Sequence, residues 1–388
     1  MDSLSSLLCG VASVSLASAS HAISSTSSMT SSTTSTPSLI FWTLVGFGAA
    51  VSPLVIVIHS APSVRGALSG AVLSFVCLLA SPAAERLGAP AASALAAAAA
   101  SLAAFTASVG PAGDWSTAAD VAILKPGFAA PGIVALLLGG AACAASARGD
   151  VASSAAFAAV AIESSEVSLL PEEGEGGEEE QQNVNDTDSS TAVLITSSNK
   201  RQERLFWEGL ALSLSAGVLA GTSLLTMRAA PLALRGIHFL PSIALGSLVV
   251  GTFSAALLLK LSGEESGATT VTAVPNEVRA RSALSGVLLA VAVASCLVAV
   301  SRSRGGLAAV APAVAIGFAV AVSAIEVGVA ERRARRWRRS GGGGGGGENE
   351  GVFFSPSAAA TTIISRPRSF ALSLFTLAVG AGLLSSSV

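Results

Sequence analysis

The chain has no tyrosine, three histidines and four cysteines among its 388 residues. Charge is scarce as well: Asp, Glu, Lys and Arg together make up 12%, where a soluble domain carries about 25%. Each shortage excludes something. A soluble protein of this length needs a far more polar surface. Without tyrosine there is no phenol to act as acid, base or stacking platform. His21, His59 and His238 are scattered, and they assemble no zinc spacing, no H-E-x-x-H and no triad order. Cys9, Cys77, Cys143 and Cys296 all lie in apolar stretches without a C-x-x-C pair, which reads as small packing residues. The Gly341–Gly347 run lacks the Lys of a phosphate-binding loop and is low complexity. Neither an enzyme nor a cofactor is expected. A net charge of −2 offers no basic face, so no nucleic-acid partner is expected either.

What is present is apolar length. Hydrophobic residues make up 51% and the mean hydropathy is +0.69. A bilayer core takes about 20 apolar residues in a helix, and a helix satisfies its own backbone in lipid. Nine segments meet or approach that length: 39–60, 66–82, 89–110, 128–147, 205–227, 236–260, 282–301, 306–329 and 369–388. The expected fold is all-α, a polytopic membrane bundle of nine or ten helices with membrane lipids around it. Residues 1–38 contain 20 Ser or Thr and no Lys or Arg. Within them Leu4–Ala19 is weakly apolar and Ala17-Ser18-Ala19 resembles a signal-peptidase site. The stretch reads as a signal, a weak first span or a tail. Residues 39–162 form a first membrane half and 205–388 a second. Between them, 163–204 carries six Glu from Glu172 to Glu180 and reads as a disordered acidic linker. A second polar loop, 330–368, is rich in Arg and Gly.

The two halves repeat. Arg65-Gly66-Ala67-Leu68-Ser69-Gly70 opens the second segment, and Arg281-Ser282-Ala283-Leu284-Ser285-Gly286 opens the seventh. Five of the six positions agree. Each is followed by an apolar helix, a short loop with Arg and Gly, and an Ala-rich helix with Pro near its start (Pro90, Pro312). On this alignment segments one to four match six to nine. Segment five, 205–227, pairs only with Leu4–Ala19. That gives two five-helix repeats with a weak first member. An odd number of spans per half inverts the second half, an arrangement common in secondary transporters. Gly66/Gly70 and Gly217/Gly221 are spaced for close helix approach, although Gly is abundant here.

Ser282 to Arg333 carries a family pattern: a helix opening Ser285-Gly286-Val287-Leu288, a short turn, a helix with Pro312 near its start, then Gly317, and Glu331-Arg332 at its end. Residues 205–260 fit the preceding helix pair, with Trp207, Gly209 and Gly246. The chain resembles the drug/metabolite transporter superfamily, most of all its carbohydrate-transporter branch, related to the glucose and rhamnose uptake proteins. The resemblance covers about 250 residues through short motifs. It implies a ten-helix bundle that moves a sugar or similar small polar metabolite by alternating access. A nucleotide-sugar or phosphorylated-metabolite exchanger is the alternative within the superfamily. That alternative wants a Lys or Arg inside a helix to meet phosphate, and the interior of every segment drawn above lacks one. A non-transporting membrane scaffold is the alternative outside it, suited to alanine-filled helices and 5% aromatics.

Ionisable groups inside membrane helices are costly and point to function. Glu326 and Glu331 near the end of the eighth segment are candidates to couple a proton or bind a hydroxyl. Pairing with the adjacent arginines is the plainer reading, since Glu331 and Arg335 are i,i+4 neighbours. Trp207 opens its helix as an interface anchor or a sugar platform. Thr222, with Ser223 and Thr226, gives a hydroxyl-rich patch. His238 sits at a helix end, an interfacial polar tip or a ligand. Pro312 frees a carbonyl or packs. Loop charges divide unevenly between the two sides: sixteen Lys and Arg flank the side holding the acidic linker and the Arg cluster, and six flank the other. The positive-inside rule makes the first side cytoplasmic. The family topology and the Asn185-Asp186-Thr187 sequon argue the reverse.

Overall fold

The computed structural model describes residues 3–29, 36–58, 62–109, 125–167, 185–223, 225–228, 236–261, 274–303, 306–340 and 367–387. Ten long helices carry the fold: α1 (Ser3–Met29), α2 (Thr36–Ile58), α3 (Val64–Leu87), α4 (Ala89–Val109), α5 (Pro126–Val167), α6 (Asn185–Ser223), α7 (Leu240–Leu261), α8 (Asn276–Arg302), α9 (Gly306–Ser340) and α10 (Pro367–Ser387). Two short pieces, Leu225–Arg228 and Gly236–Phe239, lead into α7. No strand occurs among the described residues. Each of the ten contains a stretch long and apolar enough to cross a membrane, so the chain is a multi-pass integral membrane protein.

The weak first segment is a helix with a spanning stretch of its own, Ser3–Ile23. Serines do not disqualify it where a hydroxyl bonds within the bundle. Ser13 donates to the Cys9 carbonyl four residues back and to Val314 of α9. The eighth span runs Asn276–Arg302, six residues earlier than the apolar segment begins, so Arg279 and Arg281 lie inside its helix. Long cationic side chains tolerate this near a helix end, where they reach toward the interface. The 151–162 stretch, too short to span alone, continues α5 to Val167. Of the acidic linker, α5 and α6 take the two ends. Residues 168–184, which hold all six Glu, and the 341–366 stretch of the Gly-rich loop lie outside the described residues.

Packing follows a rule. α3 lies against α6 and α7, and α8 lies against α1 and α2. α4 lies against α6 and α9, and α9 against α1 and α4. α2 meets α7, and α5 meets α10. Shifting every helix by five places, with α1 following α10, leaves this set unchanged. Ser69 of α3 donates to the Ser223 carbonyl of α6, and Ser285 of α8 donates to the Ala19 carbonyl of α1. A Cβ on Gly70 would sit 1.9 Å from the Ile243 carbonyl oxygen of α7, and a Cβ on Gly286 1.9 Å from that of Thr43 on α2. In return, a Cβ on Gly246 would sit 2.0 Å from the Ala67 carbonyl oxygen, and a Cβ on Gly46 2.1 Å from that of Ala283. The repeated hexapeptide is therefore the contact surface of two matching helix crossings. Backbones approach this closely only where one partner lacks a side chain.

Directions follow from the same contacts. Gly217 and Gly221 of α6 meet Ala96 and Ala100 of α4 in step, so α6 and α4 are parallel. Gly209 of α6 meets Leu87 at the end of α3 while Ser223 meets Ser69 near its start, so α6 and α3 are antiparallel. Gly48 and Gly251 pair with Leu248 and Leu44, setting α2 against α7. Gly132, Gly139 and Gly380 do the same for α5 and α10 through Leu384, Leu377 and Leu136. Glycines also close the two shortest reversals. Gly88 (φ 82°) turns α3 into α4, and Gly306 (φ 54°) begins α9 after α8. Both adopt the left-handed region that side chains disfavour.

Alanine makes the centre. Ala94, Ala97 and Ala98 of α4 are buried together with Leu136 of α5, Phe206 of α6, Ala319 of α9 and Leu377 of α10. A second cluster joins Cys9 and Ala12 of α1 to Phe47, Ile243, Leu289 and Val310. Large apolar residues such as Ile56, Phe253, Leu372 and Phe375 instead face outward. In water such a surface would aggregate, whereas lipid tails cover it at no cost.

Candidate functional site

Three helices end together around a cleft of about 540 Å³, within the size range of small-molecule sites. α1 supplies Ser18, His21 and Ala22, α8 supplies Arg281 and Leu284, and α9 supplies Ala324, Ile325, Gly328, Val329 and Arg332. The antiparallel crossing of α1 on α8 brings the end of one to the start of the other. α9 runs parallel to α1, from the Ser13–Val314 bond to the pair made by His21 and Glu326. His21 Nδ1 lies 3.6 Å from Glu326 Oε1, with each side chain about one-third exposed. Arg281 and Arg332 are exposed. The cleft thus holds two guanidinium groups and an imidazole near one carboxylate. It can hold an anion or a polar molecule with several acceptors.

The sequence-derived candidates fall in separate places. Glu326 does not itself line the cleft but pairs with His21, which does. Glu331 bonds Arg335 one turn on, at 2.5 Å, and both are exposed. Trp207 is 52% exposed and stands edge-on to Phe206, ring centroids 5.5 Å apart. Its neighbour Glu208 pairs with Arg86 of α3 and Arg204, both at 2.8 Å. Thr222 returns its hydroxyl to the Val218 carbonyl of its own helix at 2.9 Å. His238 is exposed in the short Gly236–Phe239 turn. Pro312 is buried early in α9. His59 lies outside the described residues, as does the side chain of Asn185.

Residues that sequence reasoning did not single out as a site complete two groupings. His21 joins Glu326 because α1 packs on α9. Its place in a weakly apolar, serine-rich segment gave no hint of that. Ser69 joins the hydroxyl patch: it is 1% exposed and bonds both the Ser223 carbonyl and the Thr226 hydroxyl. Applying the five-helix shift, with Ser69 for Ser285 and Ser223 for Ala19, places Thr222 at the counterpart of Ser18, and Arg65 at that of Arg281. The hydroxyl patch and the charged cleft are therefore matching positions at opposite ends of the bundle. Arg281 was visible all along as the first residue of the repeated hexapeptide. Trp42 adds an aromatic contact on the other flank of α8, with the Arg279 guanidinium 5.3 Å from its ring centroid.

No protein-family model, curated protein or solved structure matches the chain.

Proposed function

We propose that the chain is a secondary transporter of a small polar metabolite, a carbohydrate or a close relative, working by alternating access. The observation that carries this reading is the paired packing of the ten helices. The most extensive crossings in one half have counterparts in the other, and helices five places apart run in opposite directions. A bundle of this kind has two equivalent ways to close, one at each face, and rocking between them exposes a central site to alternate sides. The resemblance to the carbohydrate branch of the drug/metabolite transporters supplies the substrate class. Glu326, paired with His21 across α1 and α9, is the acid we assign to proton coupling. The side holding the cleft carries sixteen of the 22 Lys and Arg, and we assign it to the cytoplasm.

A membrane scaffold is the second reading. The glycine and alanine crossings favour it, because closely fitted backbones make a rigid bundle. Uptake by the full chain in proteoliposomes separates the two. Labelled sugars are offered with and without a pH gradient. Saturable uptake of one sugar supports transport. No uptake by folded, inserted protein supports the scaffold.

A further inference from the structure

We infer that Cys9 of α1 and Cys296 of α8 are a redox-active thiol pair that closes to a disulfide and staples the two helices. If the transport reading above holds, the closed bond arrests the cycle. Both cysteines are free thiols, and the register of the antiparallel α1–α8 crossing brings them together. Ser285 bonds the Ala19 carbonyl, which fixes one layer of that crossing. From there Leu289, Ala292, Cys296 and Ala299 follow along α8 at alternating steps of four and three, the spacing of one helix face. Along α1, Leu16, Ala12, Cys9 and Ser5 run back from Ala19 at the same two steps. Counting both series from the Ser285–Ala19 bond sets Cys9 opposite Cys296. The two belong to one apolar cluster, and their thiols are within electrostatic range of each other. The layers of Ser285 with Ala19, Ala292 with Ala12 and Ala299 with Ser5 hold only small side chains, all of them buried. Small residues let helices approach closely, and a disulfide needs Cα atoms about 4.4–6.8 Å apart.

The surroundings select the product. Leu8, Leu289, Val293 and Val310 share the cluster. A disulfide there is neutral, whereas two thiolates around a soft metal ion leave a charge that an apolar site penalises. Cys296 is half-buried and Cys9 is buried, so a peroxide reaches Cys296 first. The Cys296 sulfur attacks one peroxide oxygen, the O–O bond breaks and water leaves, giving a sulfenic acid. The Cys9 sulfur then attacks the Cys296 sulfur. The S–S bond forms, the S–O bond breaks, and the hydroxyl departs as water with the Cys9 proton. Two thiols lose two electrons in all, and one peroxide becomes two waters. Cys9 is six residues from the start of α1 and Cys296 six from the end of α8, about 9 Å inside those helix ends. This end is opposite the cleft, on the non-cytoplasmic side by the assignment above, where disulfides persist. The five-helix shift puts Ser213 and Ala80 in the matching places, so the staple holds one crossing and leaves its counterpart free.

The test treats the full chain in phosphatidylcholine nanodiscs with hydrogen peroxide, then with catalase. Remaining thiols are blocked with N-ethylmaleimide in dodecyl sulfate, and the chain is digested without reduction for peptide mass spectrometry. A joined Cys9–Cys296 peptide is expected in most molecules, with Cys77 and Cys143 carrying maleimide. Dithiothreitol before blocking should remove it. Cys9→Ala should leave Cys296 as a sulfenic acid that dimedone traps, and Cys296→Ala should leave Cys9 reduced. The wild-type peptide map decides the matter alone if neither variant folds. Cys9 and Cys296 both recovered as free thiols, or joined to Cys77, Cys143 or a second copy, overturns the inference. In liposomes, peroxide should lower saturable uptake at least fivefold, dithiothreitol should restore it, and Cys296→Ala should respond to neither. A joined pair with uptake unchanged overturns the arrest. A joined pair in folded protein that transports nothing even when reduced keeps the staple and removes the transport reading. Uptake by protein whose two thiols stay free does the opposite.

Discussion

Replacing Gly286 by alanine tests the central crossings directly. The added Cβ would lie 1.9 Å from the Thr43 carbonyl oxygen, which is 1.1 Å short of the 3.0 Å that real Cβ atoms require. The Phe47 backbone nitrogen is 2.5 Å away on the same side. Both obstacles are backbone, so no rotamer change relieves them, and α8 must move away from α2. A radial gap of about 0.5–1 Å forfeits a quarter to a half of each dispersion contact along the seam. Overpacking of this kind costs about 1–3 kcal/mol. Against it stands the gain of alanine over glycine in a helix, about 0.8–1.0 kcal/mol. Gly382→Ala isolates that gain, because nothing lies within 4 Å of its added Cβ. The two variants should therefore differ by about 1–3 kcal/mol, roughly a 5- to 150-fold difference in the unfolding equilibrium. Gly70→Ala should match Gly286→Ala, since its Cβ meets the Ile243 carbonyl at the same 1.9 Å. The assay is equilibrium unfolding of the purified protein in mixed micelles titrated with dodecyl sulfate, followed by circular dichroism. If Gly286→Ala is as stable as Gly382→Ala, the crossing is not as close as described and the pairing of the two halves loses its main support.

Three further outcomes are expected. Ser285→Ala removes one interhelical hydrogen bond to Ala19 and should cost about 0.6–1.5 kcal/mol in the same unfolding assay. Ser69→Ala, which loses partners at both Ser223 and Thr226, should cost more; equal costs would mean that the Thr226 contact contributes nothing. Under a pH gradient, Glu326→Gln should lower sugar uptake to the rate seen without a gradient, and a variant that still responds to the gradient would place the coupling acid elsewhere. In microsomes the Asn185 sequon should stay unmodified and a sequon engineered into residues 110–124 should be glycosylated, as the excess of positive charge on the linker side requires; modification of Asn185 would reverse the assigned sidedness.

Membrane crossing was legible in the sequence because it is a one-dimensional property. Transfer into hydrocarbon depends on the summed hydropathy of a stretch and its length, and neither needs a neighbour. The nine apolar segments and the division into two halves follow from that, and the repeated hexapeptides from direct comparison of residues. The first helix was marginal because its serines lower the sum, and their hydroxyls become acceptable only when bonded within the bundle, as Ser13 is to Val314. The boundary of α8 was misplaced for a related reason. Arg279 and Arg281 interrupt an apolar run, but a helix end at the interface accommodates long cationic side chains.

What touches what was decided by the tertiary structure. The hexapeptide announced a repeat, yet nothing in it says that Gly286 seats on Thr43 and Gly70 on Ile243. Glu326 stood out as an acid in a span, but its partner His21 is some 300 positions away in sequence and becomes a neighbour through the packing of α1 on α9. Arg281, Arg332 and His21 are ordinary singly. Only the crossing of three helices concentrates their charge in one cleft. The sequence by itself determined that the chain crosses a membrane many times, nine or ten by its apolar segments, because lipid reads each segment alone, and that a hexapeptide recurs in its two halves. The fold decided which charges share a site, because that depends on distances between segments, and those are set by the glycines and alanines that let the helices approach.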